Sequence, residues 1–150
     1  KTYFWQMSLF KIVSIIKFIP IINSGIIIGI TLFQSLLIAP AINKLVSTSD
    51  ASIFLRFIWP KYFITIIIIS LIALIIIFLY NNNQTLPKYF YIVSLILMII
   101  CYVITPYINE AKDASNDILF SRLHLITVLF TLVTLILNIL TIVYWKFYDL

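Results

Sequence analysis

A chain of 150 residues that is 63% hydrophobic and 10% charged, with a mean hydropathy of +1.16, excludes a water-soluble domain, in which roughly a quarter of the residues are charged. Its net charge of +5 is scattered over connections and helix ends rather than gathered in a basic block, so nucleic acid is excluded as a partner and the cations read as membrane-flanking anchors. The single cysteine, Cys101, excludes an intrachain disulfide and a cysteine-based metal cage.

In chain order, the opening "KTYFWQMSLFKIVSIIKF" lacks a small-residue cleavage pattern after a short apolar core and is not read as a signal peptide. Ser8 to Phe18 either lies in the interface or lengthens the first helix. Ile19 to Ile42 is the first run of spanning length, about 20 residues being needed to cross a bilayer by helix. Within it Gly25 and Gly29 form a small-xxx-small element assigned to helix packing inside the bundle, and Asn23 and Gln34 point nearly the same way. The connection "STSDASIFLRFIWP" starts with a Ser47 to Asp50 cap and is expected to be a short amphipathic helix ending at Pro60.

Tyr62 to Tyr80 is an isoleucine-rich second span, expected to be the most lipid-exposed. Tyr89 to Pro106 is the third and carries Ser94, Met98, Cys101 and Thr105 on one face. After "INEAKDASNDILFSR", helix is expected to restart near Asn116 with Asp117 in its first turn. The fourth span, Leu123 to Trp145, holds His124, Thr127, Thr131, Thr134, Asn138 and Thr141 at steps alternating between three and four, a seam on one helix face. Hydrocarbon offers these groups no partner, and interhelical polar contacts contribute on the order of 0.5 to 2 kcal/mol each, so the seam must face protein.

These runs predict an all-α integral membrane four-helix bundle, a single membrane domain over 1–150 with both termini on the same side, placed in the cell or inner membrane. Five cations fall on each side, leaving orientation undecided by charge. A shift of 66 positions places Ile38, Pro40, Ile42, Asn43, Ser49, Phe54 and Arg56 on Ile104, Pro106, Ile108, Asn109, Ser115, Phe120 and Arg122. That predicts two parallel-repeated helical hairpins, 19–80 and 85–146, in which a "P-x-I-N" corner ends each outgoing helix.

Function is less legible. No acid lies inside a span, against a proton relay or ion pump. The first hypothesis is a non-enzymatic bundle binding or passing a small or amphipathic molecule, with Arg56, Arg122 and His124, beside Asn43 and Asn109, at one mouth. Gln34, Thr127, Thr131 and Asn138 would line its middle, while Thr134 and Thr141 pack helices. A structural variant is a scaffold for a membrane complex. The alternative is a redox or metal-handling protein using His124, a weak metal candidate. No cofactor and no catalytic residue are expected; the bilayer is the expected partner, beside a second copy or a membrane complex.

At "FSRLHLIT" the pattern of Phe120, Leu123, His124 and Thr127, together with Gly25 and the Ile38 to Pro40 "IAP", resembles the small four-helix membrane family typified by transmembrane protein 205, or domain of unknown function 4149. Leu125 stands where that family usually has glycine, and Thr131 where an asparagine follows one heptad after the histidine. The resemblance implies a four-span membrane protein without an established reaction and transfers no catalytic residue.

Overall fold

The computed structural model describes residues 2–145, with side-chain surroundings from residue 14 onward. Helix α1 spans Thr2–Phe33 and passes through a π-helical turn, Gln34–Ile38, into α2, Ala39–Leu45; α3 is Thr48–Tyr80, α4 Thr85–Asp113 and α5 Asp117–Val143. No strand occurs among the described residues. Four helices, Ser14–Leu45, Thr48–Tyr80, Thr85–Asp113 and Asp117–Val143, are long and apolar enough to cross a membrane. The segment Ser8 to Phe18 lengthens the first helix.

The prolines do not end helices as expected. Pro60 lies inside α3 and Pro106 inside α4, and the amphipathic connection expected to stop at Pro60 is the first three turns of α3. A proline removes one backbone hydrogen bond, whereas stopping a helix near hydrocarbon exposes several unbonded groups; continuing is the cheaper solution. At Pro40 the chain takes a different route. It widens into the π turn, where the amide of Ala39 donates to the carbonyl of Gln34 five residues back.

The corners follow local chemistry. The Ser47 hydroxyl accepts from the Asp50 amide at 3.2 Å and donates to its carboxylate at 2.7 Å, starting α3. After α4, Ser115 adopts the left-handed conformation (φ 53°), its amide donating to Lys112 O at 3.1 Å and that of Asn116 to Ala111 O at 2.9 Å. This is a Schellman closure. Asn116 at once caps α5 by accepting from the Leu119 amide at 3.1 Å.

The helices form a ring: α1 packs on α3 and α5, and α4 on the same two. The corners at 45–48 and 113–117 define the upper end and that at 81–84 the lower. Buried residues on α4 repeat at Tyr91, Ser94, Met98, Cys101 and Thr105, facing Thr127, Thr134, Asn138 and Thr141 of α5. In the lower half polar groups bridge helices. The Tyr91 hydroxyl donates to Pro20 O at 2.5 Å, so the Ser24 hydroxyl, 2.7 Å away, donates to the tyrosine oxygen and ties α1 to α4 across the ring. Asn23 Nδ2 donates to Ile69 O at 3.2 Å, and Asn81 Nδ2 to Lys17 O at 3.0 Å.

Two packing expectations are corrected. The isoleucine-rich span is the most buried, not the most lipid-exposed: 44% of its apolar stretch lies inside, against 22–28% for the others. Ser70 and Ala73 are fully buried on α3, and small side chains there let both flanking helices approach. Gly25 and Gly29 do not mediate packing in the bundle. Both lie on the exposed face of α1, where an added Cβ would meet nothing within 4 Å. The inward face is instead Pro20, Asn23, Ser24, Ile27, Thr31 and Gln34.

Candidate functional site: a sideways-opening cleft at the upper end

In the upper half the ring does not close. Helix α1 packs on α5, but the π turn and α2 do not, α2 touching α3 and the π turn that it continues. Between them lies a cleft of about 550 Å³, within the usual range for small-molecule sites. Its body is walled by Leu32 and Leu36 from the first helix, Trp59 and Phe63 from α3, and Val128, Leu132 and Leu135 from α5. Leu32, Leu36, Val128 and Leu132 are at the same time 39%, 67%, 49% and 49% exposed, so the cleft opens sideways between the π turn and α5, at the level of the apolar runs. Trp59 is held by ring contacts to Tyr62 (5.6 Å, edge-on) and Phe63 (5.9 Å, stacked).

The hydroxyls of Thr31, Thr105, Thr127 and Thr131 on this wall are engaged with backbone or with another hydroxyl. Thr105 Oγ1 donates to Cys101 O, Thr127 Oγ1 to His124 O and Thr131 Oγ1 to Thr127 O, each at 2.8 Å, while the Tyr62 hydroxyl donates to Thr31 Oγ1 at 3.0 Å. A hydroxyl bonded back to its own helix leaves a methyl and methine surface, which suits an apolar occupant.

The rim toward the upper corners is polar. Asn43, Arg56, Asn109, Lys112 and His124 border it, and Arg56 and Lys112 are its charged residues, no carboxylate being on the wall. Arg56 sits one turn before Trp59 on the same face of α3, so its stem follows the cleft. Its guanidinium forks onto Asp113 at the end of α4, Nη1 to Oδ2 at 3.0 Å and Nη2 to Oδ1 at 2.5 Å. The two side chains are 34% and 63% exposed, so solvent screens this pair and it adds little to stability. Lys112 Nζ is 3.6 Å from Asp117 and 5.0 Å from the centre of the Phe120 ring. His124 stacks on the same ring, parallel to within 1° at 5.8 Å.

Of the residues expected at a site, Asn43, Arg56, Asn109, His124, Thr127 and Thr131 therefore share one cleft. Arg122 does not join them. It is exposed and off the wall, so the two arginines matched by the repeat have different surroundings here. Gln34 is buried at the first position of the π turn with no hydrogen-bond partner for Nε2, and Asn138 lies in the closed lower half, donating to Thr134 O at 2.9 Å. Thr134, Asn138 and Thr141 are each 1% exposed. Sequence reasoning missed Trp59, Phe63, Lys112 and Asp113. Trp59 was within reach, since it follows Arg56 by three positions on one helix; the approach of Asp113 to Arg56 depends on how α3 and α4 are staggered, which no local signal carries.

Among the described residues no three of His, Cys, Asp and Glu gather where they could hold a metal ion. The arrangement offers desolvation by the body and charge at the rim. No curated protein and no solved structure matches the chain. A family model described as "Domain of unknown function (DUF4149)" matches residues 24–117, from α1 to the start of α5, leaving the Phe120 to Thr127 pattern beyond the match. With more than half of its length matched, the chain belongs to the DUF4149 family.

Proposed function

We propose that this four-span membrane protein is a non-enzymatic binding or passage protein for an amphipathic molecule, which enters from the bilayer with its tail in the body of the upper cleft and its polar end at the rim. One observation carries this reading. The cleft is mainly apolar where it opens sideways between Leu32, Leu36, Val128 and Leu132, with hydroxyls as the polar groups of its body, and its charged, amide and imidazole side chains lie at the end bearing Asn43, Arg56, Asn109, Lys112 and His124. An apolar site facing lipid gains little from the hydrophobic effect alone, because acyl chains are equally apolar; a rim that engages a polar end is what would favour one occupant over bulk lipid. The Phe120, Leu123, His124 and Thr127 pattern, three of whose residues border the cleft, supports the closer likeness to proteins typified by transmembrane protein 205.

Trp59 on the cleft wall is a built-in reporter. In a Trp5→Phe, Trp145→Phe variant of the full chain in a neutral detergent, dibrominated single-chain amphiphiles should quench Trp59 saturably. Thr131→Phe, which fills the cleft beside Trp59, should weaken that quenching by about tenfold or more, the loss of one good apolar subsite. Quenching that rises linearly with micellar bromine and ignores Thr131→Phe would dispose of the reading.

A further inference from the structure

We propose that the occupant of the cleft carries an anionic head, a carboxylate or phosphate offering two oxygens, and that Asp113 is its internal competitor for Arg56. This rests on the cleft being a binding site and adds to it the class of ligand and a latch. The charged residues on the cleft wall, Arg56 and Lys112, are both cationic, and every carboxylate near the rim lies outside the wall. The planar fork of Arg56 matches a two-oxygen anion. The structure already displays that recognition, since Nη1 and Nη2 each donate to one of the two carboxylate oxygens of Asp113.

Asp113 itself is mostly exposed at the C-terminal end of α4, a position where a negative charge meets the negative end of the helix dipole. It can therefore swing to water when another oxyanion takes its place. The exchange keeps the number of charge-assisted bonds on Arg56 constant. The exchange is favourable because the pair that breaks is screened by solvent and worth little, whereas a head delivered by its tail meets Arg56 at the cleft mouth, where less water screens it. Lys112, held loosely by Asp117 at 3.6 Å, stands beside the same rim to add charge.

A soluble anion would make the fork contact without the tail and should compete only feebly; a neutral amphiphile would fill the body while leaving the latch shut. The sole-Trp59 variant in neutral detergent at alkaline pH separates these cases with dibrominated stearate against dibrominated stearyl alcohol, and with acetate and inorganic phosphate as competitors. Stearate should bind about tenfold more tightly than the alcohol, the worth of a charge-assisted bond. Arg56→Gln should erase that preference, bringing stearate to the affinity of the alcohol in the same variant. Asp113→Asn should tighten stearate about three- to tenfold and leave the alcohol unmoved, since it removes a competitor rather than a contact.

Equal binding of stearate and alcohol in the parent overturns the anionic head while the cleft as a tail site survives. Displacement of stearate by acetate or phosphate at comparable concentration overturns the amphiphile in favour of a soluble anion. Unchanged or weaker stearate binding in Asp113→Asn overturns the latch. Should Arg56→Gln unfold, Asp113→Asn and the two-ligand comparison in the parent decide alone. Absence of saturable quenching by either ligand removes the binding site itself, and this proposal with it.

Discussion

The lower half of the bundle, around Tyr91 and Asn138, and the upper half, around Trp59 and Thr131, are served by the same polar seam of α5 and use it in opposite ways. Below, Thr134, Asn138 and Thr141 are each 1% exposed, and Tyr91 and Ser24 close the ring across its diagonal. Above, Thr127 and Thr131 border a cleft and His124 reaches its rim. Residue type and spacing do not differ between the halves. What differs is whether the first helix lies against α5, and it ceases to do so at the π turn. Polar residues in a membrane helix thus announce that protein is near; whether they are packed or line a site is settled by the neighbour.

That contrast is open to direct attack. Tyr91→Ala, which empties a 1%-exposed site and strands Ser24, should cost about 3–5 kcal/mol in reversible unfolding from mixed micelles, the range for large-to-small aromatic changes. Asn138→Ala should cost about 1–2 kcal/mol in the same measurement, whereas Thr131→Ala, on the cleft wall, should fall within about 0.5 kcal/mol. A Thr131 cost matching that of Asn138 would mean the upper half is as closed as the lower.

Gly25→Ala and Gly29→Ala sharpen the picture of the first helix. With open space around both, each should raise stability by about 0.5–1 kcal/mol, the helix preference of alanine over glycine. A loss of stability would return the glycines to a packed interface. At the upper corner, Ser115→Gly relieves a left-handed φ of 53° and should stabilise by up to about 1 kcal/mol. Destabilisation there would show that the serine side chain, not the backbone turn, holds α4 to α5.

Much of the architecture was legible in the residues. Spanning length, the Ser47 and Asn116 caps and the inward seam each follow from a local rule: hydrocarbon forbids unbonded backbone, and capping side chains sit where amides are free. The misreadings share a cause. Pro40, Pro60 and Pro106 were expected to break helices on a rule calibrated in water, where freed backbone groups find partners. Gly25 and Gly29 were assigned to packing because small residues permit close approach, but permission is not contact. The isoleucine-rich span was expected to face lipid because isoleucine suits both lipid and protein, so its composition cannot tell which.

Of the candidate site, Arg56, His124, Asn43 and Asn109 are readable as polar groups at one mouth, and Thr127 and Thr131 as lining the middle of the bundle. That the cleft opens sideways and leaves out Arg122, Gln34 and Asn138 is not readable. Sequence alone determined that this chain crosses a membrane as helices and that one face of the last helix looks inward, since both follow from the solvent each residue can tolerate. Tertiary structure alone decided where the ring of helices parts and which acid meets Arg56, because the stagger and tilt of one helix against another are set by contacts between residues far apart in the chain.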